Sequence, residues 1–311
     1  MLYIGGYSRS GSTLLEQLLG QIKGFFSVGE VRHIWDRSFT ANQLCGCGKA
    51  FKKCIFWKEV VKEAFGGFER LDIEEIKSLK HSTDRIRYVP FLMVSNRLSS
   101  YAARFDAYSQ ILSQLYRAIQ KVSDCEIIID SSKDPSHGFL LNAMPEIDFS
   151  TIHLVRDSRA VTFSWQRKKH KPEIHWKHEN MQIHTSTRTA LEWDLMNFAT
   201  HVLSHVTDRY VLLHYEDFVN SPQSLLRECL TRLGLGGANL DFLESQRVQL
   251  KAKHTVSGNP IRFHNGSVLI RPDVEWREKM LKFQKYFVTA ATFPLLFRYG
   301  YIAKKRPRLG R

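Results

Sequence analysis

The stretch LYIGGYSRSGSTLL, residues 2–15, decides the fold. Its first five residues are apolar, aromatic or glycine and predict a buried strand, and the leucines from Leu14 onward predict a helix. The glycines and serines between them predict a turn whose backbone N–H groups surround an anion at the positive end of the helix. A strand-to-helix turn that is rich in small residues for geometric reasons alone is the alternative.

The composition of this loop limits the nucleotide that it can bind. Phosphate loops of ATPases and kinases read G-x-x-x-x-G-K-[ST], and their lysine reaches the β and γ phosphates. Ser12 stands in the lysine position here, and the basic side chain is Arg9, inside the loop. The missing lysine disfavours a kinase-like P-loop protein, which we keep as an alternative function.

Further apolar runs predict strands that are each followed by turn residues and a helical pattern: Ile127–Asp130, Thr151–Val155 and Tyr210–His214. This alternation predicts an α/β fold of the P-loop-like, three-layer kind, with a mainly parallel central sheet. Ligands of such sheets bind outside the carboxyl ends of the strands. The residues that directly follow the strands are therefore the candidates for chemistry.

The long segment between the first two predicted strands, about residues 25–124, is predicted to be a helical cap insertion that covers the substrate. One of its helices shows a 3.6-residue period in its apolar residues, which are Tyr108, Leu112, Leu115, Ile119 and Val122. The cap belongs to a single domain of residues 1–303. Within that domain we expect a loop over Ser257–Arg271 and final helices that run to about Tyr299. The basic residues 304–311 are predicted to form a solvated tail.

A second cluster of anion-binding residues follows the third predicted strand. Arg156 falls at the end of that strand, and Ser164 lies eight residues further on, inside the next helix. Lys168 and Lys169 add positive charge. Taken alone, the cluster is also typical of a solvated helix face. Together with the loop at residues 8–13, it predicts a ligand that carries phosphates at two ends.

With these motifs the sequence resembles the PAPS-dependent sulfotransferase family. The loop Tyr7–Thr13 is similar to the family's 5′-phosphosulfate loop, and Val155–Ser164 is similar to its 3′-phosphate motif. Five segments resemble the tyrosylprotein sulfotransferases in order and approximate spacing: Arg9–Thr13, Gly29–Arg32, Lys133–Pro135, Arg156–Asp157 and Tyr215–Glu216. A Cys-x-Cys-Gly segment and a late Gly-Asn-Pro-x-Arg loop resemble bacterial sulfotransferases. The resemblance implies transfer of a sulfuryl group from PAPS to a hydroxyl or amine acceptor.

The implied reaction is an in-line displacement in which charge develops on the leaving phosphate, so positioning and electrostatic stabilisation dominate. Arginine does not readily donate a proton. Lys133, at the end of the second predicted strand, is therefore the expected proton donor to the leaving oxygen. The 5′-phosphosulfate is expected to bind Arg9 together with the loop residues Ser8, Ser10, Gly11, Ser12 and Thr13.

Glu30 is predicted to be the general base, because it matches the base position of the tyrosylprotein enzymes. His33 is the reserve candidate, since it is close in sequence and its intrinsic pKa is nearer to neutral. A surface salt bridge from Glu30 to Arg32 or Arg37 is the alternative role for this carboxylate.

Residues of three segments complete the predicted nucleotide site. Tyr215 is expected to line it. Asn259 and Arg262 lie in a late loop that resembles the family's loop closing over the cofactor, and a turn with an outward arginine is the alternative. The 3′-phosphate is expected to bind Arg156, Ser164 and Lys168.

The net charge favours anionic partners. Lys and Arg number 45 against 31 Asp and Glu, which gives a formal net charge of +14. A basic nucleic-acid-binding protein is an alternative, but the sequence has no recognised nucleic-acid module, so no nucleic-acid partner is predicted. The expected acceptor is a small molecule, a lipid, a glycan or a peptide. Basic residues around 167–177 leave peripheral membrane contact open.

The N-terminus and the cysteines favour a cytoplasmic protein. Residues 1–6 have no basic region and predict no signal peptide, although a chain trimmed of its leader would look the same. No apolar run reaches the roughly 20 residues of a membrane span. Five cysteines without a leader favour a reducing compartment and free thiols.

Cys45, Cys47 and Cys54 invite a zinc interpretation. The spacing Cys-x-Cys is shorter than the usual C-x₂₋₄-C pattern, and the sequence shows no obvious fourth ligand. A turn with partly buried thiols is therefore expected and no metal is predicted, with a metal site or a disulfide left open.

Overall fold

The computed structural model describes residues 1–93, 99–243, 246–251, 253–302 and 309–310. Its centre is a sheet of five parallel strands. Most strand residues are buried, which explains their largely continuous apolar runs. The predicted α/β fold with a parallel central sheet is confirmed. The strands are β1 (Leu2–Gly6), β2 (Phe25–Gly29), β3 (Ile127–Lys133), β4 (Ser150–Val155) and β5 (Tyr210–His214). Their order across the sheet is β2-β3-β1-β4-β5.

Helices connect the strands. The α-helices are α1 (Ser12–Leu19), α2 (Ile55–Phe65), α3 (Ile73–Thr83), α4 (Val89–Leu92), α5 (Ser99–Ser123), α6 (Pro135–Asn142), α7 (Ser158–Gln166), α8 (Ser186–Leu203), α9 (Tyr215–Asn220), α10 (Pro222–Arg232), α11 (Trp276–Lys279), α12 (Lys282–Ala291) and α13 (Phe293–Arg298). Short 3₁₀ turns lie at Val31–His33, Phe51–Lys53, Phe68–Arg70, Ile86–Tyr88, Asp241–Leu243 and Pro260–Phe263, and a π-helix lies at Ile34–Thr40.

The sheet is the middle of three layers. Leu2 and Ile4 of β1 pack with α1, α9 and α10 on one face, whereas Tyr3 packs with α2, α3, α5 and α6 on the other. Adjacent residues of one strand thus enter different core layers, as the pleat of a strand requires. Burying one leucine or isoleucine side chain contributes about 1.5–3 kcal/mol, so β1 stabilises both layers.

The predicted cap segment contains helices α2 to α5, and its long periodic helix is confirmed as α5. Tyr108, Leu112 and Ile119 are fully buried on the inner face of that helix. The predicted start of the cap at residue 25 is wrong, however. Residues 25–29 form β2, an edge strand of the central sheet that pairs in parallel with β3. This strand escaped prediction because it is short and ends in serine, valine and glycine.

The late part of the chain also departs from the prediction. Gly266–Leu269 forms a strand, β7, inside the segment that was expected to be a loop. It pairs antiparallel with Arg247–Leu250, which we call β6. The final helices end at Arg298, as expected. Among the residues that the structure describes, none of the helices combines the length and apolarity needed to cross a bilayer.

The predicted tail, residues 304–311, lies mostly outside the described residues. Two of its residues are described and are not solvated as expected. Leu309 is buried, and Gly310 exchanges backbone hydrogen bonds with Leu212 of β5, with N···O distances of 3.0 and 3.2 Å. An apolar leucine next to an exposed strand edge accounts for this docking.

Candidate active site

The phosphate loop keeps its shape because glycine occupies two crowded positions. Gly6 has a φ of 125° and Gly11 a φ of 92°. A Cβ on Gly6 would lie 2.4 Å from the carbonyl oxygen of Leu154, and one on Gly11 would lie 2.5 Å from the ring of Tyr215. Gly11 is also the residue before α1, so the first N–H groups of that helix open toward the loop.

A cleft of about 310 Å³ lies beside this loop, at the carboxyl ends of β2 to β5. Its size is in the range of small-molecule sites. Most of the predicted site residues line it, so the structure brings them together at the carboxyl edge of the sheet, where ligands of such sheets bind. They are Ser8, Arg9, Gly11, Ser12, Thr13, Glu30, Lys133, Arg156, Ser164, Tyr215 and Asn259.

Arg9 has one hydrogen-bonding group without a partner. Its Cζ lies 4.7 Å from the centroid of the Trp165 ring, and its Nη2 lies 2.9 Å from the sulfur of Met181. Its Nη1 is buried and has no hydrogen-bond acceptor among the described residues. A buried charged donor without an acceptor costs free energy, so this group is poised to bind an anion in the cleft.

Glu30 and Lys133 form an ion pair inside the cleft. Lys133 Nζ contacts Glu30 Oε1 and donates to the carbonyl oxygen of Ser131 at 2.9 Å. The two residues are 8% and 7% exposed, so Glu30 is not a surface carboxylate, although Arg37, one of the two partners named in the alternative, does lie within ion-pair distance of it. The second carboxylate oxygen, Oε2, lies 3.7 Å from Arg37 Nη1 and 3.9 Å from Nε2 of the His33 ring. Lys133 thus holds one carboxylate oxygen closely, and the other oxygen makes the longer contacts to Arg37 and His33.

The backbone of Glu30 is fixed by the late loop. Glu30 directly follows β2, and its N–H donates to the carbonyl oxygen of Val256 at 2.8 Å. Val256 N–H donates in turn to Val28 at 2.8 Å. Between them, Gly29 has a φ of 83°, and a Cβ there would lie 2.2 Å from the Val256 oxygen. Only glycine therefore lets the late loop approach the base candidate this closely.

Arg32 pairs elsewhere than with Glu30. Its guanidinium lies 3.2 Å from Asp84 and 3.2 Å from Asp134. Asp84 also accepts from the His137 ring at 2.9 Å. Burial works against the positive charge of His137, but the carboxylates of Asp84 and Asp130 outweigh it and raise its pKa to about 9. This buried network holds the segment after β3, so it supports the site without lining it.

Arg156 lines the cleft beside the phosphate loop. Its guanidinium carbon lies 4.4 Å from the centroid of the Tyr215 ring, and Nη2 lies 3.1 Å from a carboxylate oxygen of Asp273. Nη1 donates to the backbone oxygen of Arg9 at 3.1 Å, so this hydrogen bond links Arg156 directly to the phosphate loop. Ser164, in α7, lines the cleft as well.

Lys168 and Arg262 do not line the cleft, contrary to expectation. Lys168 is exposed just beyond α7, and its neighbour Lys169 lines the cleft instead. Burial, with nearby Arg9 and Arg167, lowers the pKa of Lys169 to about 8. Arg262 is 1% exposed and donates to two backbone oxygens, of Thr255 and of residue 44. It therefore braces the late loop from within rather than facing a ligand or the solvent.

The other loop candidates divide between lining and support. Asn259 lines the cleft, and its N–H donates to Thr13 Oγ1 at 3.3 Å, which joins the late loop to the phosphate loop. The Ser10 side chain is buried and does not line the cleft. His33 does not line it either. Burial, with Arg37 and Arg32 nearby, lowers the pKa of His33 well below its ordinary value.

Several lining residues were not predicted. Arg37 comes from the π-helix, and Trp165 from the end of α7. Arg37 and Trp165 lie close to predicted motifs in the sequence, but no local pattern shows that their side chains face the cleft. The remaining unpredicted lining residues are Leu14, Met181, Gly258, Ile261 and Asp273.

Known proteins share both the sequence pattern and the fold of this chain. Residues 2–237 match the profile described as "Sulfotransferase family". No curated protein matches significantly. Among solved structures, the sulfotransferase domain from the curacin biosynthetic pathway has 17% identity and a TM-score of 0.54, covering 99% of this chain and 98% of that chain. The sulfotransferase from Alicyclobacillus acidocaldarius has 12% identity and a TM-score of 0.36, covering 95% of each chain.

The first of these structures has the same overall fold, and the profile covers most of the described sheet, from β1 through β5 and into the helices that follow. The resemblance inferred from the motifs is thereby confirmed at the level of the family. The chain belongs to the sulfotransferase family.

Proposed function

We propose that this chain transfers a sulfuryl group from PAPS to a hydroxyl or amine acceptor, with Glu30 as the general base. The observation that carries the proposal is the cleft itself. It is lined by the anion loop, by Arg156 and by the buried pair of Glu30 and Lys133. When bound, PAPS supplies a sulfuryl group that is activated by a phosphate leaving group.

The phosphate loop suits the phosphosulfate. Arg9 offers a buried Nη1 without an acceptor among the described residues, and the N–H groups at the start of α1 add a second set of donors. Gly11 leaves the space that a Cβ would take from this cradle. Arg9 and these N–H groups stabilise the charge that develops on a leaving phosphate.

A second group of lining residues suits a second phosphate. Arg156, Ser164 and Lys169 bring two cationic side chains and a hydroxyl to one part of the cleft wall. Tyr215 contributes an aromatic face beside them. Two groups of donors, one in the loop after β1 and one after β4, fit a donor with phosphates on both sides of a nucleoside better than they fit the single phosphate chain of ATP.

Glu30 and Lys133 have complementary proton roles. Glu30 Oε2 is the carboxylate oxygen that Lys133 leaves open, so it is the atom that accepts the acceptor's proton. Lys133 Nζ carries a proton that it can give to the leaving oxygen, which the guanidinium of Arg9 does not readily do. The Lys133 ammonium also compensates the buried carboxylate charge.

Thermal-shift measurements with PAP (the desulfated product), ATP and an oligonucleotide separate this function from its alternatives. We expect PAP to raise the melting temperature and the other two to have little effect. Stabilisation by ATP but not PAP would favour a kinase-like protein, and stabilisation by the oligonucleotide alone would favour nucleic-acid binding. Incubation of acceptor pools with PAPS, followed by mass spectrometry, identifies acceptors by the mass gain of one SO₃ group.

A further inference from the structure

Four side chains that commonly bind metals meet outside the cleft. Cys45, Cys47 and Cys54 come from the segment after the π-helix, and His254 comes from the late part of the chain. One ligand atom from each lies within 4.8 Å of all the others. The fourth ligand that the sequence did not reveal is therefore a histidine 200 residues away from Cys54.

The distances between these atoms match the edges of a tetrahedron around zinc. With bonds of about 2.3 Å to sulfur and about 2.05 Å to nitrogen, a tetrahedral site has edges of about 3.8 Å between sulfurs and about 3.5 Å between sulfur and nitrogen. Cys47 Sγ lies 3.7 Å from Cys54 Sγ, and His254 Nδ1 lies 3.3 Å from Cys54 Sγ and 3.8 Å from Cys45 Sγ. A disulfide would need about 2.05 Å.

A tight turn presents the first two cysteines. Leu44 and Ala50 form an antiparallel bridge, and within it Cys45 exchanges backbone hydrogen bonds of 2.8 Å with Lys49 and Gly48. Gly46 is packed against the segment that carries the histidine, because a Cβ there would lie 2.4 Å from the carbonyl oxygen of residue 253. The short Cys-x-Cys spacing is thus compatible with two ligands that point to one centre.

Further contacts orient the other two ligands. The ring of Phe56 stacks on His254 with centroids 4.9 Å apart and planes at 11°. Trp57 Nε1 donates to the His254 backbone oxygen at 3.0 Å, and its backbone N–H bonds to Cys54. Cys54 is fully buried. Contacts to the ligating residues from neighbours that do not themselves bind the metal fix ligand orientation in metal sites.

We propose that Cys45, Cys47, Cys54 and His254 bind a structural Zn²⁺ ion. Three soft thiolates and one imidazole in tetrahedral array favour zinc over harder cations, and four protein ligands leave no open position for a substrate. Each cysteine gives up its thiol proton on binding, and Nδ1 of the histidine donates its lone pair.

The ion would join the cap segment to the late loop. His254 lies two residues before Val256, which holds the backbone of Glu30. Five residues after His254, Asn259 contacts Thr13 of the phosphate loop. Zinc at this point therefore fixes a segment that lines the cleft, without taking part in chemistry there. The inference stands on these four residues and does not depend on which group the cleft transfers.

Elemental analysis of the full chain, purified under reducing conditions from zinc-supplemented medium, tests the proposal. We expect about one zinc per chain, as four closed protein ligands predict. Cys54→Ser and His254→Asn should each lose the zinc. Cys125→Ser, at a buried cysteine outside the cluster, is the matched control and should retain it. Cobalt substitution should give the absorption bands of a tetrahedral thiolate site.

Differential alkylation of the unmodified protein provides the same test if the variants do not fold. A strong chelator should expose Cys45, Cys47 and Cys54 to a thiol reagent together, while Cys125 and Cys229 remain unchanged. Zinc far below one equivalent, zinc retained in both ligand variants, or a disulfide between Cys47 and Cys54 in the reduced preparation would each overturn the proposal.

Discussion

Replacing Glu30 by glutamine removes one negative charge from the cleft and changes the shape of the side chain very little. The carboxylate oxygen that contacts Lys133 remains available as an amide oxygen, because the ammonium group needs only an acceptor there. The other oxygen, 3.7 Å from Arg37, becomes a group that cannot take a proton. The substitution therefore separates proton transfer from the packing of this position.

A general base contributes about 10²- to 10⁴-fold to turnover, which corresponds to about 3–5 kcal/mol of activation free energy. We expect Glu30→Gln to lower kcat by that factor. Affinity for PAP should stay the same or increase, since the lost charge repels the phosphates of the nucleotide. The melting temperature should fall somewhat, because Lys133 keeps a hydrogen bond but loses its counter-ion.

Calorimetric titration with PAP and a mass-spectrometric transfer assay with PAPS measure the two quantities on the same preparations. His33→Gln is the matched control, because it changes a neighbour of Glu30 that does not line the cleft, and it should keep most of the turnover. Full turnover in Glu30→Gln would refute the base assignment. Equal loss of PAP affinity and turnover would instead give Glu30 a positioning role.

Further expectations concern two residues that line the cleft, Arg156 and Gly11, and one buried residue of α1, Glu16. Arg156→Ala should weaken PAP binding by about 10- to 150-fold, the equivalent of a charge-assisted hydrogen bond of about 1.5–3 kcal/mol, and exposed Lys168→Ala should leave calorimetric affinity unchanged. Gly11→Ala should abolish PAP-dependent thermal stabilisation, since its Cβ would lie 2.5 Å from the Tyr215 ring. Burial raises the pKa of Glu16 from 4.5 to about 8, so the folded chain binds its proton more tightly than the unfolded chain does. The free energy of unfolding should therefore fall as pH rises from about 4.5 to about 8 and level off above that, and Glu16→Gln should flatten that fall in denaturant titrations.

The sequence predicted the sheet wherever a strand is a continuous apolar run. β1 and β5 have the predicted bounds, because both are fully buried. β2 was missed, and with it the physical reason for the position of Glu30. Once β2 is known to pair beside β3, the carboxyl-edge rule alone brings Glu30 and Lys133 together.

The misassigned residues depend on contacts that no local pattern encodes. Lys168 and Lys169 both follow the end of α7, so helical periodicity does not decide which of them faces the cleft. Arg262 lies in a motif that resembles a cofactor loop, but backbone oxygens from two other segments hold it inside. His254 is far from the cysteines in sequence, and only the fold brings it beside them as a candidate ligand.

The late segments of the chain also affect how it is synthesised. β2 and β5 are the two edges of the sheet, and unpaired strand edges invite association with other chains. Each edge meets a residue that is translated late, with Val256 pairing at the end of β2 and Gly310 pairing with Leu212 in β5. A nascent chain therefore leaves the β2 edge without Val256 until that residue is made, and the β5 edge without Gly310 until that residue is made. Removing only residues 309–311 would leave the β5 edge open at Leu212 and make the chain more prone to aggregate.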